Sequence, residues 1–435
     1  MSSAPSNLSS AAVDLEPVVV RKLLLRLLPF LFLLYVVNYL DRINVGFAAL
    51  QMRTQLGFSN EVFGTGFGIF FWGYMVLQVP SNLAMARVGA RRWMALIMVV
   101  WGIVSTCMIF VRTPHGFYAM RFLLGAAEAG FFPGIVLYLK NWFPASARAR
   151  AVAIFMTANP LAGVVGGPIS GSLLNLHHFG LAGWQWMFIL EGGPAILLAV
   201  VVLFTLKDEP NDAVWLQEHE KSWLIAVLEA ERQHQEKISS SDIGGAFLNW
   251  RIWLLTVVYF GLTASAYGLI LWLPTYIKSL SKLGNFGIGV VSVIPYIATA
   301  IAMVVVGMLS DRSGRHRGYL AGSALTATVF LLIAAEMTSI VPGLAFVTLA
   351  LMATFCMQGP FWATSTSLLG GTAAAAGIAV VNSVGNLGGY FGPEIIGLGL
   401  KAGGGFRGGM LIISACLLLA GILALVVRAP RQATS

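Results

Sequence analysis

The stretch GMLSDRSGRHR, residues 307–317, has a partial copy in the first half of the chain, NLAMARVGARR, residues 82–92. When the two are aligned on Gly314 and Gly89, each has an arginine two residues before the glycine and basic residues after it. Each stretch also follows the second long apolar run of its half. The same turn at the same place in both halves predicts two homologous bundles of six helices.

The composition predicts an integral membrane protein. The 435 residues are 57% hydrophobic and 10% charged, whereas a soluble domain is about 25% charged. A helix that crosses a bilayer needs roughly 20 mostly apolar residues. Twelve such runs are predicted, at 27–49, 61–84, 93–111, 115–139, 149–175, 185–206, 252–277, 288–309, 317–338, 343–368, 375–399 and 406–428.

The runs divide the chain into an N-terminal six-helix bundle (1–206), a polar linker (207–251) and a C-terminal six-helix bundle (252–435). Apolar residues recur at helical spacing in the linker, and charges fill its other face. We therefore predict an amphipathic linker helix, capped by Asp212, that lies along the cytoplasmic membrane surface.

The basic residues predict the orientation. Nineteen Lys and Arg residues lie on the side that carries both termini and the linker, and six lie on the other side. Because cytoplasmic loops of membrane proteins are enriched in Lys and Arg, we predict cytoplasmic termini and location in a bacterial inner membrane. The net charge of +9 therefore reflects topology and does not indicate nucleic-acid binding.

Four charged residues lie deep within predicted spans, namely Asp41, Arg42, Arg121 and Glu128; Glu191 and Glu394 lie nearer the outer half. A charge at the centre of a membrane helix costs roughly 2.5–3.5 kcal/mol, so these groups must face each other, water or a ligand. Arg121 and Glu128 are about 10 Å apart along their helix, too far for a direct ion pair. Asp41 points about 100° away from Arg42.

Two interpretations of these charges remain open. They form either an ion-pair network that only holds helices together, or the site of an anion carrier. Two arginines in a cavity suit a carboxylate, since guanidinium binds carboxylate in bidentate fashion. A carboxylate beside a displaceable arginine can also gain and lose a proton as the anion comes and goes. Polar side chains at similar depth, Asn159 and Gln358 among them, are further candidates for the pocket.

GMLSDRSGRHR resembles the cytoplasmic signature of the major facilitator superfamily, and the twelve-span layout matches that fold. Asp311, beside Arg312 and Arg315 at a helix end, could form an ion pair that latches the inner face; the first-half copy has Ala86 in its place. NYLDRINVGFA, RFLLGAAEAGFFPG, WFPASARARA, GWQWMFILEGGPA and GTAAAAGIAVVNSVGNLGGYFGP narrow the resemblance to the anion:cation symporter family. That family includes carriers of sugar acids, tartrate and aromatic acids, and the sialic acid and vesicular glutamate transporters.

The resemblance implies roles for single residues. It implies that Arg42 binds the substrate carboxylate, and that Glu128 and Asp41 carry protons. It also implies that four further side chains contact the substrate: Tyr39, Tyr74, Trp362 and Asn382.

We therefore predict a secondary active transporter that imports a small organic anion with protons by alternating access, as a monomer, without a metal or other cofactor. A sugar acid, a dicarboxylate or an aromatic carboxylate would fit. A drug or metabolite exporter of the same fold and an uncoupled anion facilitator remain alternatives, and so does a membrane receptor. GxSxG, HExxH and Walker motifs are absent from the sequence, which argues against an enzyme. The sequence does not decide between protons and sodium or identify the acid.

Overall fold

The computed structural model describes residues 7–238, 249–368 and 373–426, and this part of the chain is helical with no strand. The helices of the first half and the linker are α1 Asn7–Leu56, α2 Asn60–Val88, α3 Ala90–Cys107, α4 Pro114–Glu128, α5 Phe131–Trp142, α6 Ala145–Met156, α7 Ala158–Leu173, α8 Gly183–Thr205 and α9 Glu218–Ile238. Those of the second half are α10 Trp250–Leu280, α11 Asn285–Ser313, α12 His316–Ala335, α13 Ile340–Cys356, α14 Gln358–Leu368, α15 Ala373–Gly385, α16 Gly388–Lys401 and α17 Gly405–Val426.

The six-linker-six layout is consistent with this order of helices. Eleven segments of the described chain are long and apolar enough to cross a membrane. The twelfth predicted span, 375–399, is divided between α15 and α16. Glycines on both sides of the break, Gly385 and Gly388, pack so closely on α10 that a Cβ would collide with Tyr259 or with the Phe260 backbone.

Three further predicted spans are interrupted near their middle, where sequence analysis expected continuous helices. The breaks separate α4 from α5, α6 from α7, and α13 from α14. Pro133, Pro160 and Pro360 each lie just after a break. Because proline lacks the amide proton that would bond the carbonyl four residues earlier, each proline weakens the helix at the turn where it is interrupted. The breaks between α4 and α5 and between α13 and α14 occupy equivalent places in the two halves.

The two ends of the bundle differ in how the halves meet. We call the end at which Val88, Trp142 and Ser313 lie the basic end, and the end at which Leu56 and Lys401 lie the opposite end. Polar contacts between the halves in the described part of the chain lie at the opposite end: Lys401 with Glu61, Asn285 with Asn175, and Thr65 with Glu394. The halves are therefore closed against each other at the opposite end.

Glycines form two seams at that closed end. On one side, a Cβ on Gly167 of α7 would lie 2.6 Å from the carbonyl oxygen of Gly289 on α11. On the other side, a Cβ on Gly64 of α2 would lie 3.2 Å from the Cα of Gly397 on α16. A side chain at Gly167 would push α7 and α11 apart, and one at Gly64 would crowd α2 against α16, so glycine at both positions favours the closed conformation.

The linker helix α9 packs on the N-terminal half. Lys22 of α1 donates to Glu220 at 2.6 Å, and Arg148 of α6 pairs with Glu231 at 2.8 Å. Burial raises the pKa of Glu220, but hydrogen bonds from Lys22 and the Gln217 amide outweigh it and leave the pKa below its usual value.

The predicted cap of the linker helix is wrong. Asp212 lies in a short turn, Pro210–Asp212, that ends well before α9 begins. The Glu220 side chain instead accepts from the Gln217 amide at the start of α9, at 2.9 Å. Residues 239–248 of the linker, and Arg428 and Arg431 of the basic tail, lie outside the described residues.

Candidate functional site

A buried ion pair joins α1 to the end of α4. The Arg42 Nε donates to Glu128 Oε2 at 2.8 Å, and Asn38, one turn earlier on α1, donates to the same oxygen at 2.8 Å. Glu128 is fully buried and Arg42 is 7% exposed. The second oxygen of Glu128 and the terminal Nη2 of Arg42 have no hydrogen-bond partner among the described residues. The pair therefore retains unused hydrogen-bonding capacity on both members.

Aromatic rings of α2 hold the two buried arginines in place. The guanidinium carbon of Arg42 lies 5.4 Å from the Phe70 ring centre and 5.0 Å from that of Tyr74. That of Arg121 lies 5.0 Å from Phe70, and its Nε donates to the Gly66 carbonyl at 3.2 Å. Both guanidinium groups thus flank Phe70, and cation–π attraction orients them without neutralising their charge.

Asp41 belongs to a different cluster. Its carboxyl group accepts hydrogen bonds from the Trp101 indole at 2.8 Å, from the Ser105 hydroxyl and from the Asn44 amide at 3.0 Å. These partners lie on α3 and on the next turn of α1, and Asp41 is fully buried among them. Neighbouring residues of a helix point about 100° apart, so Asp41 and Arg42 face different partners, as predicted.

Tyrosines of α10 face the ion pair from the second half. Tyr267 packs against Phe71 of α2 with ring centres 4.4 Å apart, and it is close enough to Arg42 to interact with it electrostatically. Tyr259, two turns earlier on the same helix, is close enough to Tyr74 of α2 to interact with it electrostatically. These contacts place the Arg42–Glu128 pair at the interface between the two halves.

Two residues predicted to contact substrate continue this wall. Trp362 of α14 packs edge-on against Tyr259 with ring centres 5.2 Å apart. Asn382 of α15 is partly buried and accepts from Asn386 at 3.1 Å, beside the break between α15 and α16. Gly385, on the same turn, contacts Tyr259, so Trp362 and Asn382 both lie near this tyrosine.

The remaining predicted pocket residues are more scattered. Tyr39 is buried on α1, 6.3 Å from the Tyr35 ring. Asn159 lines a small gap between α7, α11 and α13, next to Tyr296, and not the surroundings of Arg42. Gln358 is partly buried at the start of α14, just after the Met357 break.

Asp311, Arg312 and Arg315 are all exposed at the basic end. The described residues contain no ion pair between Asp311 and either arginine; the imidazole Nδ1 of His316 lies 3.9 Å from the Asp311 carboxyl group. Consecutive helical residues diverge by about 100°, and Gly314, with φ 63°, ends α11 before Arg315. The ion pair is thus not formed in this conformation.

The predicted role of Asp311 can still be tested. We expect Asp311→Asn to slow transport by up to about 5-fold, the range of a surface ion pair, and to leave substrate affinity nearly unchanged, because Arg42 is buried far from the basic end. Initial rates and dissociation constants in liposomes measure the two separately. Asp212→Asn, at an exposed aspartate of the linker, is the control. A large loss of affinity with unchanged turnover would exclude a latch.

The site also contains side chains that were not predicted, among them Asn38, Phe70, Tyr259 and Tyr267. The spacing of Asn38, four residues before Arg42, places both on one helix face and could have indicated it. Phe70 and Tyr267 carry no such signal, because aromatic residues in apolar helices most often serve packing. No group of three or more His, Cys, Asp or Glu in the described residues could hold a metal ion.

The comparisons with known proteins agree with the fold. The model of the Major Facilitator Superfamily matches residues 31–286 and 281–435. A putative tartrate transporter of Agrobacterium vitis is 48% identical over 414 residues, 95% of each chain. A quinolone resistance transporter of Acinetobacter baumannii is 37% identical over 418 residues, 96% of each chain. The inward-open structure of the xylose transporter XylE from E. coli superposes with a TM-score of 0.75 at 14% identity, covering 94% of this chain and 98% of that one.

Proposed function

The chain belongs to the major facilitator superfamily and is a multi-pass transporter, and we propose that it imports a small organic anion together with protons. The observation that carries the proposal is the Arg42–Glu128 pair at the interface of the halves, with Nη2 of Arg42 buried and unpartnered among the described residues. A carboxylate would supply the acceptor that this nitrogen lacks. The relative named as a tartrate transporter supports a hydroxylated dicarboxylate as the first candidate.

We place the basic end in the cytoplasm of a bacterial cell, on the nineteen-to-six asymmetry of Lys and Arg. The end at which the halves are in contact then faces outward. Under this assignment the structure corresponds to an inward-facing state, from which substrate has left or into which it can bind from the cytoplasm.

The paired state of Arg42 suggests how a proton and an anion are coupled. A proton on Glu128 would neutralise the carboxylate that holds Arg42 and leave the guanidinium free to bind an incoming anion. After the halves rock to the inward-facing state, loss of that proton would restore the Glu128 carboxylate. The carboxylate would then compete with the anion for Arg42 and favour its release, which leaves the 2.8 Å pair seen here. An exchange of partners at one arginine would thus couple the proton and the anion to the rocking of the halves.

Export of a carboxylate-bearing drug is the second candidate. It is favoured by the relative named as a quinolone resistance transporter, which matches over 96% of each chain. The same arginine would bind the drug carboxylate, but the proton and the anion would move in opposite directions. Uptake driven by an inward proton gradient distinguishes the two directions.

The test is counterflow beside gradient-driven uptake in liposomes, with labelled tartrate as the first probe. Glu128→Gln mimics the protonated carboxyl group, so it should bind tartrate and exchange it across the membrane. It should accumulate less than about one tenth of the wild-type amount under a pH gradient, because its side chain cannot release a proton. Glu394→Gln makes the same chemical change at the closed end, outside the Arg42 pair. Wild-type accumulation by Glu128→Gln would refute its coupling role.

A further inference from the structure

A second pair of carboxyl groups lies inside the N-terminal half. Asp41 of α1 is fully buried, and Glu191 of α8 is 3% exposed. Neither forms an ion pair within the described residues. Glu191 Oε1 accepts from the Ser170 hydroxyl at 2.6 Å, whereas Oε2 has neither exposed surface nor a hydrogen-bond partner there. Asp41 thus accepts hydrogen bonds from three side chains, and Glu191 accepts a hydrogen bond from one.

Asn44 and Ser105 connect the two carboxyl groups. The Asn44 amide donates to Asp41, and the same side chain faces Glu191. Its carbonyl oxygen has no partner among the described residues. Ser105, which donates to Asp41, lies against α8, because a Cβ on Gly192 would be 2.5 Å from its hydroxyl oxygen. Asp41 and Glu191 therefore share one polar cluster between α1, α3 and α8.

The cluster contains two carboxyl groups and no paired cation within the described residues. From α1, Asp41 is the charged group that acts on Glu191, and Glu128 in turn acts on Asp41. The groups that contact the two carboxyls from α3 and α7 are the indole of Trp101 and hydroxyls, none of them cationic. Of the two buried arginines, Arg42 is engaged by Glu128, and Arg121 is close enough to Asp41 to attract it but forms no ion pair with it within the described residues. Two neighbouring carboxylates without a paired cation cannot both be ionised at low cost inside a membrane protein.

We propose that Asp41 and Glu191 act as one carboxyl pair that holds a proton inside the N-terminal half, with Glu191 as a positioning residue that sets how readily Asp41 releases it. The unpartnered Oε2 of Glu191 and the unpartnered carbonyl of Asn44 form a complementary donor and acceptor once Glu191 carries the proton. This inference rests on the proposed function, because it assigns a second proton-binding place to the same transporter. The pair titrates as a unit, and its protons do not belong to either residue alone.

Infrared spectroscopy of the purified protein in lipid tests the pair directly. At neutral pH, Glu191→Gln should remove a protonated-carboxyl band that the wild type shows, and Glu191→Asp should retain it. Ser170→Ala should shift the frequency of that band without removing it, because Ser170 donates to the Glu191 carboxyl and does not carry the proton. An unchanged band in Glu191→Gln would overturn the proposal, whether or not transport is proton-driven.

The pH profile of uptake provides a second readout. Removing Glu191 removes the repulsion that resists ionising both carboxyl groups, so the alkaline limit of proton-driven uptake should move to lower pH by about one unit. Tartrate counterflow at constant pH should remain within about twofold of wild type, since Glu191 does not contact Arg42. Loss of counterflow in the wild type would instead refute the proposed function alone. An unshifted profile with intact counterflow would refute the role of Glu191 alone.

Discussion

Arg42→Lys is expected to lower the affinity for the transported anion by at least about 100-fold, although lysine keeps the positive charge. Arg42 uses its Nε for Glu128 and leaves a terminal nitrogen for a second acceptor. An ammonium group is a single compact charge, which Glu128 would hold for itself. The flat guanidinium also lies against Phe70 and Tyr74, and lysine would not keep that orientation.

The measurement is the dissociation constant of labelled tartrate, or of the anion that most stabilises the wild type against heat. Arg112→Lys is a matched control, because within the described ranges the Arg112 side chain donates to the backbone carbonyls of Ile109 and Val111 and contacts no carboxylate. The double variant Arg42→Lys/Glu128→Gln separates two causes. If Arg42→Lys acts only by leaving Glu128 charged in the site, Glu128→Gln should restore binding. We expect no restoration, and a dissociation constant within threefold of wild type in Arg42→Lys would exclude Arg42 as the anion's anchor.

The sequence identified the buried charged residues of the site, but it did not identify the side chains that they contact. Asp41, Arg42, Arg121 and Glu128 are conspicuous because charge is costly in a membrane helix, whatever the fold. The partner of Arg42 could not be predicted, because Arg42 and Glu128 lie 86 residues apart in sequence and the relative rotation of α1 and α4 depends on packing. The hydrogen-bond partners of Asp41 could not be predicted for the same reason. Trp101 and Ser105 are ordinary residues of an apolar helix, and nothing in the sequence marks them as its partners.

The fold was predicted from hydropathy and repetition, but the helix breaks were not. Hydropathy averaged over 20 residues hardly changes when one residue lacks an amide proton. Pro133, Pro160 and Pro360 each lack that proton where a helix is interrupted, so the average did not reveal the breaks. The contacts of α9 with the N-terminal half were not predicted, for another reason. An amphipathic pattern indicates an apolar partner without saying which, and Lys22 lies 198 residues before Glu220. Local sequence patterns therefore predict the helices, whereas long-range packing determines which helices are in contact.

Gly167→Val is expected to slow transport by about 10- to 100-fold and to hold the protein in the conformation that is open at the opposite end. In the closed seam a Cβ at this position would lie 2.6 Å from a carbonyl oxygen of Gly289, and a helix backbone cannot move aside as a side chain can. Overpacking of this kind costs about 1–3 kcal/mol, which shifts a two-state equilibrium by roughly 5- to 150-fold. The open conformation bears no such cost, because the halves are apart there.

A cross-link at the closed end can report this shift without any transport assay. In a variant lacking Cys107, Cys356 and Cys416, cysteines at Glu61 and Lys401 replace a pair that is in contact in this closed conformation. We expect the pair to separate when the opposite end opens. Short cross-linkers should join them readily in this background and at least fivefold more slowly once Gly167→Val is added. Gly307→Val on α11 is the matched control, since a Cβ there meets nothing within 4 Å. Equal cross-linking with and without Gly167→Val would mean that the glycine seams do not control closure.

The same substitution at Gly64, on the other side of the interface, should reproduce the effect. Both seams must close together for the anion at Arg42 to be sealed from the opposite end.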